Sequence, residues 1–99
     1  MADSRIEVDF IGPFRDICGC RGIGLDVDKE LGLPALIGEI ASKFGIKFSE
    51  RLGMSEGGYD GELATVIVNG KVVGGSKFRE VVIKPGDCVV FAPSLAGGG

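Results

Sequence analysis

Residues 84–93 read KPGDCVVFAP, and this stretch decides the fold. Pro85 and Gly86 suit the two centre positions of a type II turn, because proline presets the first position and the second needs a positive φ. The apolar run after the turn has the alternation of a strand. Its side chains are predicted to divide between the two faces of a sheet, Val89 and Phe91 toward the core, Val90 and Ala92 away from it. Pro93 ends the strand.

A hairpin is predicted directly upstream of this stretch. Leu63–Val68 is rich in β-branched residues and leads into Asn69-Gly70, a pair that favours a two-residue turn because both positions need a positive φ. Lys71–Val73 is the return strand. Further upstream, residues 46–52 can add a short helical turn, and residues 53–61, with four glycines, are predicted to form an exposed loop.

The N-terminal half predicts another hairpin and then one long helix. Arg5–Ile11 alternates polar and apolar residues, and residues 23–27 do the same, so these two strands should pair antiparallel. Pro34–Phe44 has its apolar residues at helical spacing. Pro34 suits the first turn of this helix, and Gly45 suits the left-handed position just beyond its end.

The predicted order is β-β-α-β-β-β, in which a helix crosses between two hairpin-like halves. Such a crossover makes the first and last strands parallel neighbours at the centre of a mixed sheet. We therefore predict an α+β chain with the β-grasp, or ubiquitin-like, fold. Its mixed sheet should have four to five strands, with one main helix packed on one face. Residues 1–93 should form the domain, and residues 94–99 a flexible C-terminal reactive tail.

The composition excludes several kinds of site. The 99 residues include no His, which removes Ser-His-Asp and Cys-His catalysis and any Cys/His zinc finger. The net charge of −3 gives no basic field for nucleic acid or an anionic membrane. Cys18, Cys20 and Cys88 cannot pair completely and lack the spacing of a zinc or redox motif. We predict reduced thiols in a soluble, cytoplasmic protein without a metal, and leave any role of the cysteines open.

Three glycines close the sequence, and they allow two interpretations. They are either a frayed end or linker remnant, or they carry a reactive carboxylate. A carboxylate becomes an acyl donor only after a partner enzyme converts it to a mixed anhydride with AMP, and glycine fits the narrow channel that this requires. Ordering such a tail is costly, so binding must come from the folded domain. Outward positions and the tail supply the predicted partner-binding residues: Ile67, Val90, Ala92, Leu95 and Gly97, with Ile11 as a further candidate.

Several stretches resemble the small subunit of molybdopterin synthase and its archaeal ubiquitin-like relatives. They are residues 10–19 (FIGPFRDICG), the Val68–Gly70 turn, and residues 84–93 ahead of the terminal glycines. The resemblance covers nearly the whole chain and implies a sulfur carrier. An E1-like enzyme would consume ATP to adenylate Gly99, with Gly98 beside it in the channel, and sulfur from a persulfide would displace AMP to give a thiocarboxylate.

The same resemblance implies the partners and leaves alternatives open. In molybdopterin biosynthesis the sulfur passes to a pyranopterin precursor in a complex with the large subunit, and the carrier binds no cofactor of its own. Residues 94–96 and a third glycine separate Pro93 from the final pair, so the mature terminus is either Gly98 or Gly99. The alternatives are a modifier conjugated to protein lysines, a sulfur donor for tRNA thiolation, or a non-covalent β-grasp interaction module. Whether a chain that acts as co-substrate counts as an enzyme stays open.

Overall fold

The structure is a computed structural model and describes residues 5–54, 59, 63–74 and 77–94. The described part of the chain forms strands, three α-helices and one 3₁₀ turn. In chain order these are β1 (Arg5–Phe10), α1 (Pro13–Cys18), β2 (Gly22–Asp26), β3 (Leu31–Gly32), α2 (Leu33–Phe44), α3 (Ile46–Leu52), β4 (Ala64–Val68), β5 (Lys71–Val73), the 3₁₀ turn Phe78–Glu80, β6 (Val82–Ile83) and β7 (Cys88–Pro93).

Five of these strands form one mixed sheet in the order β2-β1-β7-β4-β5. β7 lies at the centre, parallel to β1 and antiparallel to β4. The predicted parallel pairing of the first and last long strands is therefore confirmed. β3 and β6 form a separate antiparallel pair with two residues in each strand. The sequence alone does not predict this pair, because two residues are too few for an alternating pattern to be recognised.

The predicted turns are present. Asn69 and Gly70 have φ values of 50° and 85°, as their hairpin turn requires. The backbone N–H of Asp87 donates to the Lys84 carbonyl at 3.0 Å and closes the turn that leads into β7. Gly45 differs from the expectation: its φ is 98° and its ψ is 173°, which is not the left-handed helical conformation. The reason is that Gly45 also begins α3, so the backbone extends at this point between two helices.

The helices cover one face of the sheet, and the core lies between the helices and the sheet. α2 buries Leu33, Leu36, Ile37 and Ile40, which share its apolar face. No side chain caps the N-terminus of α2, so the helix depends on this packing, and each buried aliphatic side chain contributes about 1.5–3 kcal/mol. α3 buries Phe48 and Leu52. The predicted helical turn at residues 46–52 is confirmed as a separate short helix.

The prediction of an exposed loop over residues 53–61 is wrong at Tyr59, which is buried. The Tyr59 hydroxyl donates a hydrogen bond to the Val73 carbonyl and accepts one from the Val66 N–H at 3.3 Å. The Tyr59 ring also packs edge-on against Phe78, with 6.4 Å between ring centroids. Burial raises the pKa of Tyr59 above its ordinary value of 10.0. This tyrosine therefore joins its segment to strands β4 and β5.

Candidate functional site

The end of the central strand β7 lies beside the connection between β1 and α1. The Ile11 N–H donates to the Phe91 carbonyl at 2.9 Å. One residue further on, a Cβ placed on Gly12 would lie 3.2 Å from Cδ of Pro93. The hydrogen bond ties the start of this connection to β7, and the short distance shows that Gly12 and Pro93 lie close together.

A cluster of four fully buried aromatic rings lies around the C-terminal half of β7. It consists of Phe10 on β1, Phe14 on α1, Phe48 on α3 and Phe91 on β7. Phe48 meets the other three rings edge-on, at centroid distances of 5.9, 5.6 and 5.0 Å to Phe10, Phe14 and Phe91. Edge-to-face pairs of this kind stabilise by about 0.5–1.5 kcal/mol each beyond area burial. The cluster fastens the last strand to two helices and to its parallel neighbour.

The face of the sheet turned away from the helices, which we call the outer face, carries a row of apolar side chains. Val90 on β7 pairs with Ile67 on β4, and Ile67 pairs with Val72 on β5. Ile67 and Val90 are half-buried, and Val72 is 63% exposed. We call these three residues the outer row. It brings together two of the residues predicted to bind a partner.

Ala92 requires a correction. Its register with Thr65 places it on the outer face, as predicted, but it is only 4% exposed and so adds little to an exposed patch. Its side chain is a single methyl group, shorter than that of neighbouring Val90, and Thr65 beside it is also buried. Ile11, the further candidate, is 42% exposed immediately after β1. The other predicted site residues, Leu95, Gly97, Gly98 and Gly99, lie outside the described residues.

Two outer-face residues were missed by the sequence analysis. Val72 stands in a strand of three residues, where alternation is too short to assign a face. Cys88 was not assigned to a face, and it is exposed because it begins β7 on the same face as Val90. Its backbone N–H donates to Oδ1 of Asn69 at 2.9 Å. The parity of β7 could have shown this, since Cys88 and Val90 are two residues apart.

The cysteines differ in their environments. All three are free thiols. Cys18 is buried at the end of α1, and desolvation, together with nearby Cys20, raises its pKa from 9.0 to about 11. Cys18 is therefore protonated and inert near neutral pH, whereas the Cys88 thiol is exposed on the outer face.

Neither a metal site nor a membrane span is found in the described part of the chain. No cluster of three or more metal-ligating side chains occurs among these residues. Within the same ranges, none of the helices combines the length and the apolar character needed to cross a membrane. A shallow concavity lies on the helix side, lined by Ile17, Lys47, Glu50 and Arg51.

Comparison with solved structures gives matches over nearly the whole length. The Haloferax volcanii HVO 2177 protein matches with a TM-score of 0.77 at 23% identity, covering 98% of this chain and 89% of its own. A Pyrococcus furiosus protein, named as a candidate molybdopterin converting factor subunit 1, matches with a TM-score of 0.70 at 25% identity, covering 92% and 98%. The small archaeal modifier protein 1 of Haloferax volcanii matches with a TM-score of 0.72 at 15% identity, covering 93% and 99%.

The chain has the ubiquitin-like β-grasp fold. Comparisons with protein-family models and with curated sequences give no match. The predicted fold class is therefore confirmed at the level of structure.

Proposed function

We propose that this chain is a ubiquitin-like sulfur carrier whose terminal glycine is adenylated by an E1-like enzyme and converted to a thiocarboxylate for molybdopterin biosynthesis. The observation that carries the proposal is the combination of a β-grasp domain with three terminal glycines that follow its central strand. The names of the structural neighbours, a candidate molybdopterin converting factor subunit and a small archaeal modifier protein, support it.

The proposed chemistry needs only a carboxylate from this chain. The carboxylate of Gly99, or of Gly98 after trimming, attacks the α-phosphate of ATP, and pyrophosphate leaves. The terminal sulfur of a persulfide then attacks the acyl carbon, and AMP leaves, which gives an acyl disulfide. A thiol reduces the sulfur–sulfur bond, so that a thiocarboxylate and a new disulfide are the products. Because the chain has no His, general acid–base groups are assigned to the partner enzyme.

The described residues give the domain two parts in this reaction. The aromatic cluster anchors β7, the strand that precedes the terminal glycines in the sequence, against α1 and α3. The outer row offers an apolar surface on β7 and on its neighbours β4 and β5. Docking through this surface supplies binding free energy, which can offset the conformational entropy lost when Leu95, Gly97 and the final glycines become ordered.

The direct test is intact-mass analysis. The protein is incubated with an E1-like enzyme, ATP and a persulfide sulfur source. The expected product has the mass gained when one sulfur replaces one oxygen, and its tandem mass spectrum places the change on the last glycine. A variant without Gly98 and Gly99 should give no product. The proposal fails if neither an AMP adduct nor a thiocarboxylate forms on the full chain.

Docking of the activating enzyme on the outer face can be measured through Cys88. In a Cys20→Ala variant, Cys88 is exposed while Cys18 is buried and has a raised pKa, so maleimide should label Cys88 first. Added E1-like enzyme should slow this labelling strongly. Unchanged labelling at an enzyme concentration that supports adenylation would place the docking surface elsewhere.

A second candidate function is protein modification. It is favoured by the structural neighbour named small archaeal modifier protein 1. In this case the same adenylated glycine forms an isopeptide bond with a substrate lysine, and AMP is released. Tagged protein in a cell extract would then form covalent ladders that disappear when Gly98 and Gly99 are deleted. The two functions share activation, so the ladder and the thiocarboxylate distinguish acceptors rather than mechanisms of activation.

A further inference from the structure

The outer face is chemically divided along the boundary between β1 and β7. One continuous cross-strand row runs Asp9, Val90, Ile67, Val72 over four strands. The members on β7, β4 and β5 are apolar. On β1, the outward positions are Arg5, Glu7 and Asp9, all of them exposed. The outer row therefore meets a charged strand along one side.

The charges on β1 are not balanced among themselves. Nε of Arg5 lies 3.6 Å from Oδ1 of Asp26 on β2, so the cation of β1 is directed to the neighbouring strand. Glu7 and Asp9 have no ion pair within the ranges that the structure describes. Asp9 is in register with Val90 of the outer row and Glu7 with Cys88, so two carboxylates about 7 Å apart border β7 on the outer face.

Two glycines on β2 leave space on the outer face for the charged side chains of β1. A Cβ on Gly22 would lie 2.9 Å from Oδ1 of Asp9 and 2.4 Å from the Val8 carbonyl oxygen. A Cβ on Gly24 would lie 2.5 Å from Cδ of Arg5. Side chains from β1 therefore lean across β2, in space that any residue with a Cβ would occupy. The Asp9 carboxylate therefore lies toward β2, on the side of β1 opposite to β7.

We propose that the outer face selects a partner whose own docking surface is divided in the same way, with an apolar side chain for the outer row and basic side chains for Glu7 and Asp9. This inference rests on the proposed function, since it takes the partner to be the E1-like adenylating enzyme. The apolar half provides contact area. The acidic half sets the orientation of docking and accelerates the encounter, as complementary charges at an interface do.

The test is steady-state adenylation with a Glu7→Lys/Asp9→Lys double variant. Reversing both charges is expected to lower kcat/KM about 10- to 100-fold at low salt, mainly through KM. The wild-type value of kcat/KM should fall as salt rises, and the variant should lose this dependence. The matched control is Glu39→Lys/Glu80→Lys, the same change of charge on exposed residues of α2 and the 3₁₀ turn. This control should retain wild-type kcat/KM within about threefold.

A milder pair, Glu7→Gln/Asp9→Asn, removes charge without reversing it and should lie between wild type and the double lysine variant. Circular dichroism establishes that each variant is folded. Equal losses in the helix-side control and the outer-face variant would overturn the proposal, as would full activity of the double lysine variant at low salt. A wild-type chain that forms no adenylate instead refutes the proposed function, so the two failures are distinguishable.

Discussion

Replacing Tyr59 with Phe tests the contact that the sequence analysis missed. The hydroxyl lies between the Val66 N–H and the Val73 carbonyl, in the position of one more rung of the ladder between β4 and β5. Tyr59→Phe removes this oxygen and retains the ring that packs on Phe78. The change therefore isolates two hydrogen bonds from the apolar contact.

The expected loss follows from the two backbone groups left behind. Val66 and Val73 are both buried, and a buried polar group without a partner costs about 1–3 kcal/mol. Because the variant has no hydroxyl, folding no longer has to desolvate this group, and that offsets part of the loss. We therefore expect a net destabilisation of about 2 kcal/mol. A domain of this size is stabilised by only about 5–15 kcal/mol in total. The melting temperature should fall by about 10 °C.

Urea unfolding followed by far-ultraviolet circular dichroism measures this loss. Tyr59→Leu, which also removes the ring, is the comparison variant and should lose more. Tyr59 is the only tyrosine and the chain has no Trp, so the alkaline absorbance of tyrosinate reports this residue alone. Its pKa should lie above 10.0 in the folded protein and return to that value in urea. A Tyr59→Phe variant within about 0.5 kcal/mol of wild type would refute the bridging contact.

Three further predictions concern the pH dependence, the glycines and the aromatic cluster. Folding raises the pKa of Cys18 from 9.0 to about 11. The protonated thiol therefore contributes its full stability below pH 9, and this contribution is lost as pH rises through about 11. Cys18→Ala should reduce the fall of the urea unfolding midpoint over this pH range. Gly22→Ala places a Cβ 2.4 Å from a backbone oxygen and should lower the free energy of unfolding by about 2 kcal/mol. Gly38→Ala lies in the middle of α2, where nothing is within 4 Å of the added Cβ, and should raise the free energy of unfolding by about 0.5–1 kcal/mol in the same urea assay. Phe48→Ala should cost about 3–5 kcal/mol, and a loss below about 1 kcal/mol would contradict the central place of this ring; thermal unfolding measures it.

Most of the fold could be predicted from local patterns. The alternation in β1 and β7, the spacing in α2, and the two turns at Asn69-Gly70 and residues 84–87 each carry a physical signal strong enough to read alone. The parts that were missed have no local signal. β3 and β6 exist because their two residues pair with each other, and Tyr59 is buried because β4 and β5 are near it in space.

The candidate site was predictable in part for the same reason. Alternation correctly placed Ile67 and Val90 on the outward side of adjacent strands, and their register brings them together. Alternation predicts the face on which a side chain lies but not how exposed it is. The burial of Ala92 could therefore not be predicted. The position of Glu7 and Asp9 beside β7 depends on the parallel pairing of β1 with β7, which joins residues more than 80 positions apart in sequence.

The parallel pairing of β1 and β7 also has a mechanical consequence. β1 begins at Arg5 at one end of the sheet, and β7 ends at Pro93 at the other. A force that draws the tail away from the N-terminus therefore acts along both strands in opposite directions. Under this shear the hydrogen bonds between the strands bear the load together, whereas strands pulled apart at one end separate bond by bond. Tension applied at the end of β7 would thus be resisted by all of these hydrogen bonds at once.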